Sequence, residues 1–250
     1  MHVLQHCKTW KDKAVSSLQK RGVAGTIGYA VSICKSLFIR QWKHYFAWNP
    51  WNPWYNYLDQ RFDRRFAVDT AGVAVIPEIH SDPRFSGYSP TPSDRFFQML
   101  RQVDVDYTRF VFIDFGCGKG KAVMLAAELP FKQIIGIELS AELIAIAEKN
   151  VRNYRGKRRC TTIQLLCIDA TDFEIPNERA IYYFWDPFEA ELMEKVLQNI
   201  HRSFIDVPRE IYIVCFMPSF RSVLDKSGFL TRMKQASWYS IYKASAISTP

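Results

Sequence analysis

The stretch Phe112-Ile113-Asp114-Phe115-Gly116-Cys117-Gly118-Lys119-Gly120-Lys121 constrains the fold more than any other. An apolar run from Phe110 to Ile113 reads as a buried parallel strand, and Ala122–Ala127 reads as helix. Between them stand an Asp and three Gly at alternate positions. Gly at 116, 118 and 120 allows positive φ and lets a bound group approach where a Cβ would collide. Strand, Gly-rich turn and helix together form a cradle for a nucleotide-like ligand, with unpaired helix N–H groups beside it. The spacing is not that of a dinucleotide fingerprint. Counted from Gly116, the third Gly of G-x-G-x-x-G would fall at 121, which is Lys.

Further acids follow at the ends of apolar runs. Gln133–Ile137 reads as the next strand, closed by Glu138, which lies 22 residues after Gly116. That is close to the roughly 20 expected for a carboxylate that accepts from ribose hydroxyls. Ser140 caps an expected helix from Ala141 to Tyr154, with Leu143, Ile144, Ala147 and Val151 on one face. Leu165–Ile168 is a third strand, ending in Asp169-Ala170. A fourth ends in Asp186-Pro187-Phe188. In an open α/β sheet, ligands sit beyond the carboxyl ends of the strands, where all four acids fall. Glu189–Phe204 then reads as helix, Ile211–Phe216 as a fifth strand, and Phe220–Lys226 as a short helix. Phe229–Met233 and Trp238–Lys243 complete the strand candidates.

The G-x-G-x-G turn with Asp114 two residues upstream resembles motif I of the class I S-adenosylmethionine (SAM) dependent methyltransferases, over roughly residues 84–244. The resemblance implies an α/β, Rossmann-like seven-stranded sheet in the order 3-2-1-4-5-7-6, helices on both faces, and a closing antiparallel pair. It implies SAM as cofactor, S-adenosylhomocysteine as product, and no metal. On it, Asp114, Gly116, Cys117, Gly118 and Gly120 face the methionine part of SAM. Glu138 holds the ribose, and Asp169 and Ala170 meet the adenine. Asp186, Pro187 and Phe188 stand where amine methyltransferases carry Asp/Asn-Pro-Pro-Tyr/Phe, one Pro short. Asp186 is there the candidate to orient or accept an acceptor proton. Phe62–Gly72 and Tyr88-Ser89-Pro90-Thr91-Pro92 look like the lead-in of a group of uncharacterised bacterial class I methyltransferases. A distant likeness to lysine methyltransferases of this fold adds Tyr88 and Thr91 at the methionine end. The expected organisation is an extension over 1–60, a lead-in over 61–92, and the methyltransferase domain over 93–250. The expected activity is methyl transfer to N or O, a protein amine such as lysine being favoured over glycan or lipid. The competing reading is a non-catalytic SAM-binding or scaffold protein, and the Gly spacing argues against a dehydrogenase.

Charge and cysteine usage bound the rest. Residues 1–46 hold eight Lys and Arg against one acid, Asp12, a net +7 of the chain's +8. The basicity therefore belongs to the N-terminal segment, and nucleic acid is not favoured as the catalytic domain's partner. Arg152, Arg155, Lys157, Arg158 and Arg159 read as a solvated turn. Val23, Ile27, Ala30, Val31, Cys34 and Phe38 recur at helical spacing, and Trp42–Tyr57 is rich in Trp and Tyr. A basic helical segment beside clustered aromatics suits a membrane surface, so residues 1–57 are a candidate peripheral anchor. They suit packing over the catalytic domain as well. Gly22–Ile39 carries Lys35 and reads as a poor membrane span. Six Cys without a C-x-x-C argue against a disulfide framework or zinc site and for a cytoplasmic setting.

Overall fold

Val111–Phe115 (β1) has every residue buried, which is what a central parallel strand covered on both faces demands. The computed structural model describes residues 53–72, 87–216 and 218–245. The helices expected ahead of residue 46, and the Trp42–Tyr57 run as far as residue 52, lie outside them. β1 pairs in parallel with Gln133–Glu138 (β2) and with Ala180–Trp185 (β4). Ile163–Cys167 (β3) flanks β2, and Ile211–Phe216 (β5) flanks β4, both in parallel. Tyr239–Ala244 (β7) runs antiparallel to β5, and Leu230–Gln235 (β6) antiparallel to β7. The order is β3-β2-β1-β4-β5-β7-β6, the arrangement of the Rossmann-like methyltransferase sheet.

Alternation along the strands divides the core in two. Phe112, Tyr183, Val214 and Ile241 face one side. There they meet Phe96 and Met99 of Ser93–Leu100 (α2) and the apolar residues of Lys121–Ala127 (α3). Ile113, Tyr182, Ile213 and Tyr242 face the other, against Leu192, Met193, Val196 and Ile200 of Ala190–Asp206 (α5). Leu224 of the short helix Arg221–Asp225 (α6) joins that second core.

Ala141–Asn153 (α4) starts where its cap says it should, Ser140 Oγ accepting from Leu143 N at 3.3 Å. Its neighbour α3 is capped by Gly120 in the left-handed region, φ 81°. A Cβ at Gly120 would lie 3.1 Å from the Ala147 Cβ, so this Gly serves the close approach of α3 to α4.

Pro53–Phe66 (α1) is a helix that the sequence pattern does not announce, and the boundary expected at residue 60 falls inside it. Phe62 and Phe66 pack their rings on Tyr154 at the end of α4, with centroids 6.2 and 5.1 Å away. Among the described residues no helix is long and apolar enough to cross a membrane.

Candidate active site

The Gly-rich turn is tied to the next strand before it meets any ligand. Gly116 N and Cys117 N both donate to Ile137 O of β2 at 2.9 Å, and Gly120 N closes the turn on Cys117 O. Glu138, at the end of β2, accepts from Gly118 N at 2.9 Å and from Ser140 N at 3.0 Å. One carboxylate thus clamps the turn and the start of α4, and its two oxygens have acceptor capacity beyond these two bonds. Gly116, Gly118 and Gly120 all have positive φ, at 80°, 52° and 81°.

These elements open a cavity beyond the carboxyl ends of β1, β2 and β4. Together with the open solvent at its mouth it takes in about 850 Å³ free of atoms. Asp114, Gly118, Glu138 and Ala170 line it, as do Tyr88 and Thr91 from the lead-in. Gly116, Cys117, Pro187 and Phe188 are at its wall too. A Cβ at Gly118 would lie 2.3 Å from the Tyr88 ring, so the ring lies flush on that backbone. A Cβ at Gly116 would meet the Pro187 Cβ at 2.6 Å, so the β4 loop is seated on the Gly-rich turn. Phe188 is buried at 4% exposure and packs edge-on to Phe184, 6.1 Å between centroids.

The electrostatics point to a cation. Asp114 and Glu138 are both buried. Burial, and then the Glu138 charge, push the Asp114 carboxyl up to about 8. Burial raises Glu138 as well, opposed by the backbone N–H groups it accepts from. Two adjacent carboxyls in one apolar pocket favour a ligand carrying positive charge. Ser89 Oγ, also at the wall, is buried without a hydrogen-bond partner among the described residues. An ammonium and a sulfonium beside the carboxyls, a carboxylate for Ser89, and ribose hydroxyls for Glu138 would satisfy these groups, so the residues fit SAM. Cys117 is not a thiolate, since burial and the two carboxylates raise its thiol well above the usual range.

Three of the expected site residues are turned elsewhere. Gly120 packs on Ala147, as above. Asp169 Oδ1 accepts from Thr171 N and Thr171 Oγ1 at 2.8 and 2.7 Å, while its neighbour Ala170 reaches the cavity. Asp186 sits at φ 42° and its Oδ1 accepts from Ser219 N at 2.8 Å, joining the loop after β4 to the loop after β5. Its carboxylate is not part of the cavity wall.

Sequence reasoning missed other wall residues. Leu139, Leu143 and Ile168 supply apolar surface beside Glu138 and Ala170. Their signal was positional, each standing next to or shortly after a strand-end acid. In the sequence, Lys121 stands out only by breaking the dinucleotide spacing. It is 3% exposed, with Nζ 2.5 Å from Asp59 Oδ1 of α1 and 4.7 Å from the Phe62 ring centroid. Trp185 also lines the cavity. It starts a row of rings: Phe216 at 4.9 Å from it, Trp238 at 5.7 Å from Phe216, and Arg95 4.5 Å above Trp238.

The chain is similar to an RNA methyltransferase from Salinibacter ruber solved with S-adenosylhomocysteine, at 19% identity over 62% of this chain and 92% of that one, TM-score 0.43. It is similar to a SAM-dependent methyltransferase from Leishmania major, at 10% identity over 61% and 71%, TM-score 0.45. It is similar to a ribosomal protein L11 methylase from Lactobacillus delbrueckii subsp. bulgaricus, at 14% identity over 60% and 76%, TM-score 0.40. Residues 112–204, from β1 through most of α5, match the family model described as a methyltransferase domain, and the methyl donor of that domain is S-adenosyl-L-methionine.

Proposed function

We propose that the protein is an enzyme that transfers a methyl group from SAM to a nitrogen or oxygen nucleophile, with an amine, such as a protein lysine, as the favoured acceptor. The observation that carries this is the division of the cavity wall. Its carboxyl groups, Asp114 and Glu138, gather on the cofactor side. The acceptor side is aromatic, from Trp185 outward. When bound, the cofactor supplies a methyl already activated on a sulfonium. Asp114 holds an ammonium group, and Glu138 accepts from paired hydroxyls while keeping the Gly-rich turn closed. Leu143, Ile168 and Ala170 give a flat apolar seat for a base. Tyr88, Trp185 and Phe188 keep water from the methyl end. The residues then act mainly by orienting and desolvating the nucleophile.

An amine suits this wall better than a hydroxyl. A neutral amine brings its own lone pair, whereas a hydroxyl needs a base at the reacting atom. Among the described residues the acceptor side offers no His, and Asp186 is engaged by Ser219. That same engagement supports the second reading, a SAM-binding protein without turnover. Residues 1–57 we propose as a contact with an anionic membrane surface. Vesicles carrying phosphatidylserine should co-sediment the intact chain but not one lacking residues 1–46.

Calorimetry with SAM and with S-adenosylhomocysteine tests the cofactor, with micromolar-range binding expected. Incubation with methyl-tritiated SAM and fractionated lysate tests turnover, with label expected in protein. Folded protein that binds neither ligand would defeat the proposal. Tight binding with no label in protein, lipid, glycan or RNA fractions would favour the non-catalytic reading.

A further inference from the structure

Asp63 on α1 stands 51 residues before Asp114, yet it governs one wall of the cavity. Its Oδ2 accepts from Thr70 N at 2.8 Å and from Ala71 N at 2.7 Å, and its Oδ1 accepts from Thr70 Oγ1 at 2.7 Å. Three short bonds to one carboxylate fold residues 67–71 back against α1. Ala67 takes the left-handed conformation, φ 58°, that lets the chain reverse there. Thr70 is fully buried, and its carbonyl accepts from Tyr88 Oη at 2.6 Å. Tyr88 is the residue whose ring covers the Gly118 backbone and lines the cavity.

The same turn is clamped to the Gly-rich loop from its other side. Asn150 of α4, 2% exposed, pairs with both backbone groups of Asp69: Oδ1 accepts from Asp69 N and Nδ2 donates to Asp69 O, each at 2.7 Å. Its Nδ2 also donates to Lys119 O at 2.9 Å. Lys119 Nζ reaches Asp69 Oδ1 at 3.0 Å and Ala71 O at 3.2 Å. A segment preceding the sheet is thus bound by side chains to both sides of the Gly-rich turn.

We propose that Asp63 is a positioning residue for the cofactor, acting through Thr70 to hold the Tyr88 ring against Gly118. This rests on the reading of the cavity as a SAM site. A carboxylate is required because three donors converge on it. The ring needs the tether because a phenol pinned at one end loses less freedom when a ligand packs on it. The consequence is that the helix ahead of the methyltransferase domain belongs to its cofactor site.

The test is calorimetry of S-adenosylhomocysteine binding to the full-length chain at 15 °C, with thermal melts on each sample. Asp63→Ala and Tyr88→Phe should each raise the Kd roughly tenfold, a loss of about 1.4 kcal/mol. The double variant should be scarcely weaker than either single one, since both release the same ring. A purely structural role would lower the Tm of Asp63→Ala and leave the Kd of folded protein alone. If Asp63→Ala does not fold, Tyr88→Phe decides. Wild-type binding with an unchanged Tyr88→Phe Kd would overturn the tether, as would independent, multiplying effects in the cycle. Folded wild-type protein that fails to bind would overturn the cofactor reading itself.

Discussion

Asp114 allows a quantitative forecast of cofactor affinity against pH. An aspartate in an unfolded chain ionises near 3.9, whereas burial and the Glu138 charge set the Asp114 carboxyl at about 8 in the folded protein. Between those values the folded, ligand-free state holds a proton that the unfolded state has released. Its stability contribution from this group therefore falls as pH rises from 4 toward 8. Ligand binding runs the other way. An ammonium placed beside Asp114 favours the ionised form, so binding below pH 8 expels the proton and tightens as pH rises. If only the ionised form binds, the observed Kd scales with one plus the ratio of protonated to ionised Asp114. That ratio is roughly 300 at pH 5.5 and roughly 10 at pH 7.0, so Kd should fall roughly 30-fold across the interval.

The assay is calorimetric titration with S-adenosylhomocysteine at half-unit steps from pH 5.5 to 7.0. The upper limit keeps the ligand's own amine protonated, since α-amino groups titrate near 7.7–8.0. Repeating one point in two buffers of different ionisation enthalpy should reveal about one proton released per ligand bound at pH 6.5. Asp114→Asn should bind weakly at every pH and lose most of the slope. Because Glu138 is also raised by burial, the variant, not the wild-type slope alone, assigns the proton to Asp114. A flat wild-type profile, or an equal slope in Asp114→Asn, would refute the argument.

Other substitutions separate cradle, clamp, turn and strap. Gly118→Ala adds a Cβ at φ 52° within 2.3 Å of the Tyr88 ring, and S-adenosylhomocysteine binding should vanish by calorimetry while the far-UV spectrum holds. Glu138→Ala strips the acceptor from two buried N–H groups at about 1–3 kcal/mol each. Lost binding and a markedly lower Tm should appear together. Asp186→Asn keeps an acceptor for Ser219 and tolerates the left-handed backbone, so its melt should match wild type, whereas Asp186→Ala should cost about 1–2 kcal/mol. Retained methyl labelling in Asp186→Asn would mark the carboxylate as a turn element and not a base. Lys121→Met leaves Asp59 buried without its cation, at about 3–5 kcal/mol in denaturant unfolding. Pairing it with Asp59→Leu should recover much of that loss.

What could be read in the sequence was what lies close along it. β1, its Gly-rich turn and α3 form one continuous stretch, and the inner parallel strands β1, β2, β4 and β5 are apolar runs because both their faces are covered. Strand ends place acids at one edge without any knowledge of packing, and β6 and β7 were expected within two residues of where they lie. What could not be read depends on partners far apart. Lys121 meets Asp59 across 62 residues, and nothing local distinguishes it from a surface lysine. Asp186 meets Ser219 across 33 residues, and only that contact reveals which way its carboxylate turns. Amphipathic spacing ranks Asn150 of α4 as polar surface, whereas its amide is enclosed by the backbone of residues 69 and 119. Asp63 stands within the Phe62–Gly72 lead-in, and nothing local shows that its carboxylate turns onto Thr70 and Ala71.

The four strand-end acids show how one position serves two ends. Asp114 and Glu138 enter the cavity, where burial makes their ionisation unfavourable until a cation arrives. Asp169 and Asp186 close on a Thr and a Ser and spend their charge shaping loops. The cavity's carboxyl groups therefore gather on one side, and in the proposed function the acceptor approaches from the other, along the rings of Trp185, Phe216 and Trp238. A nucleophile that crosses such a wall sheds its water without meeting a base, so the wall rewards one whose lone pair is free once it is neutral. Arg95 stacked on Trp238 shows that this row of rings already accommodates a planar cation on a side chain. A lysine-like chain would enter it as an ammonium and reach Trp185 as an amine. The proton must then be lost to solvent before the innermost ring, and labelling of protein should rise with pH beyond the point where Asp114 has finished titrating.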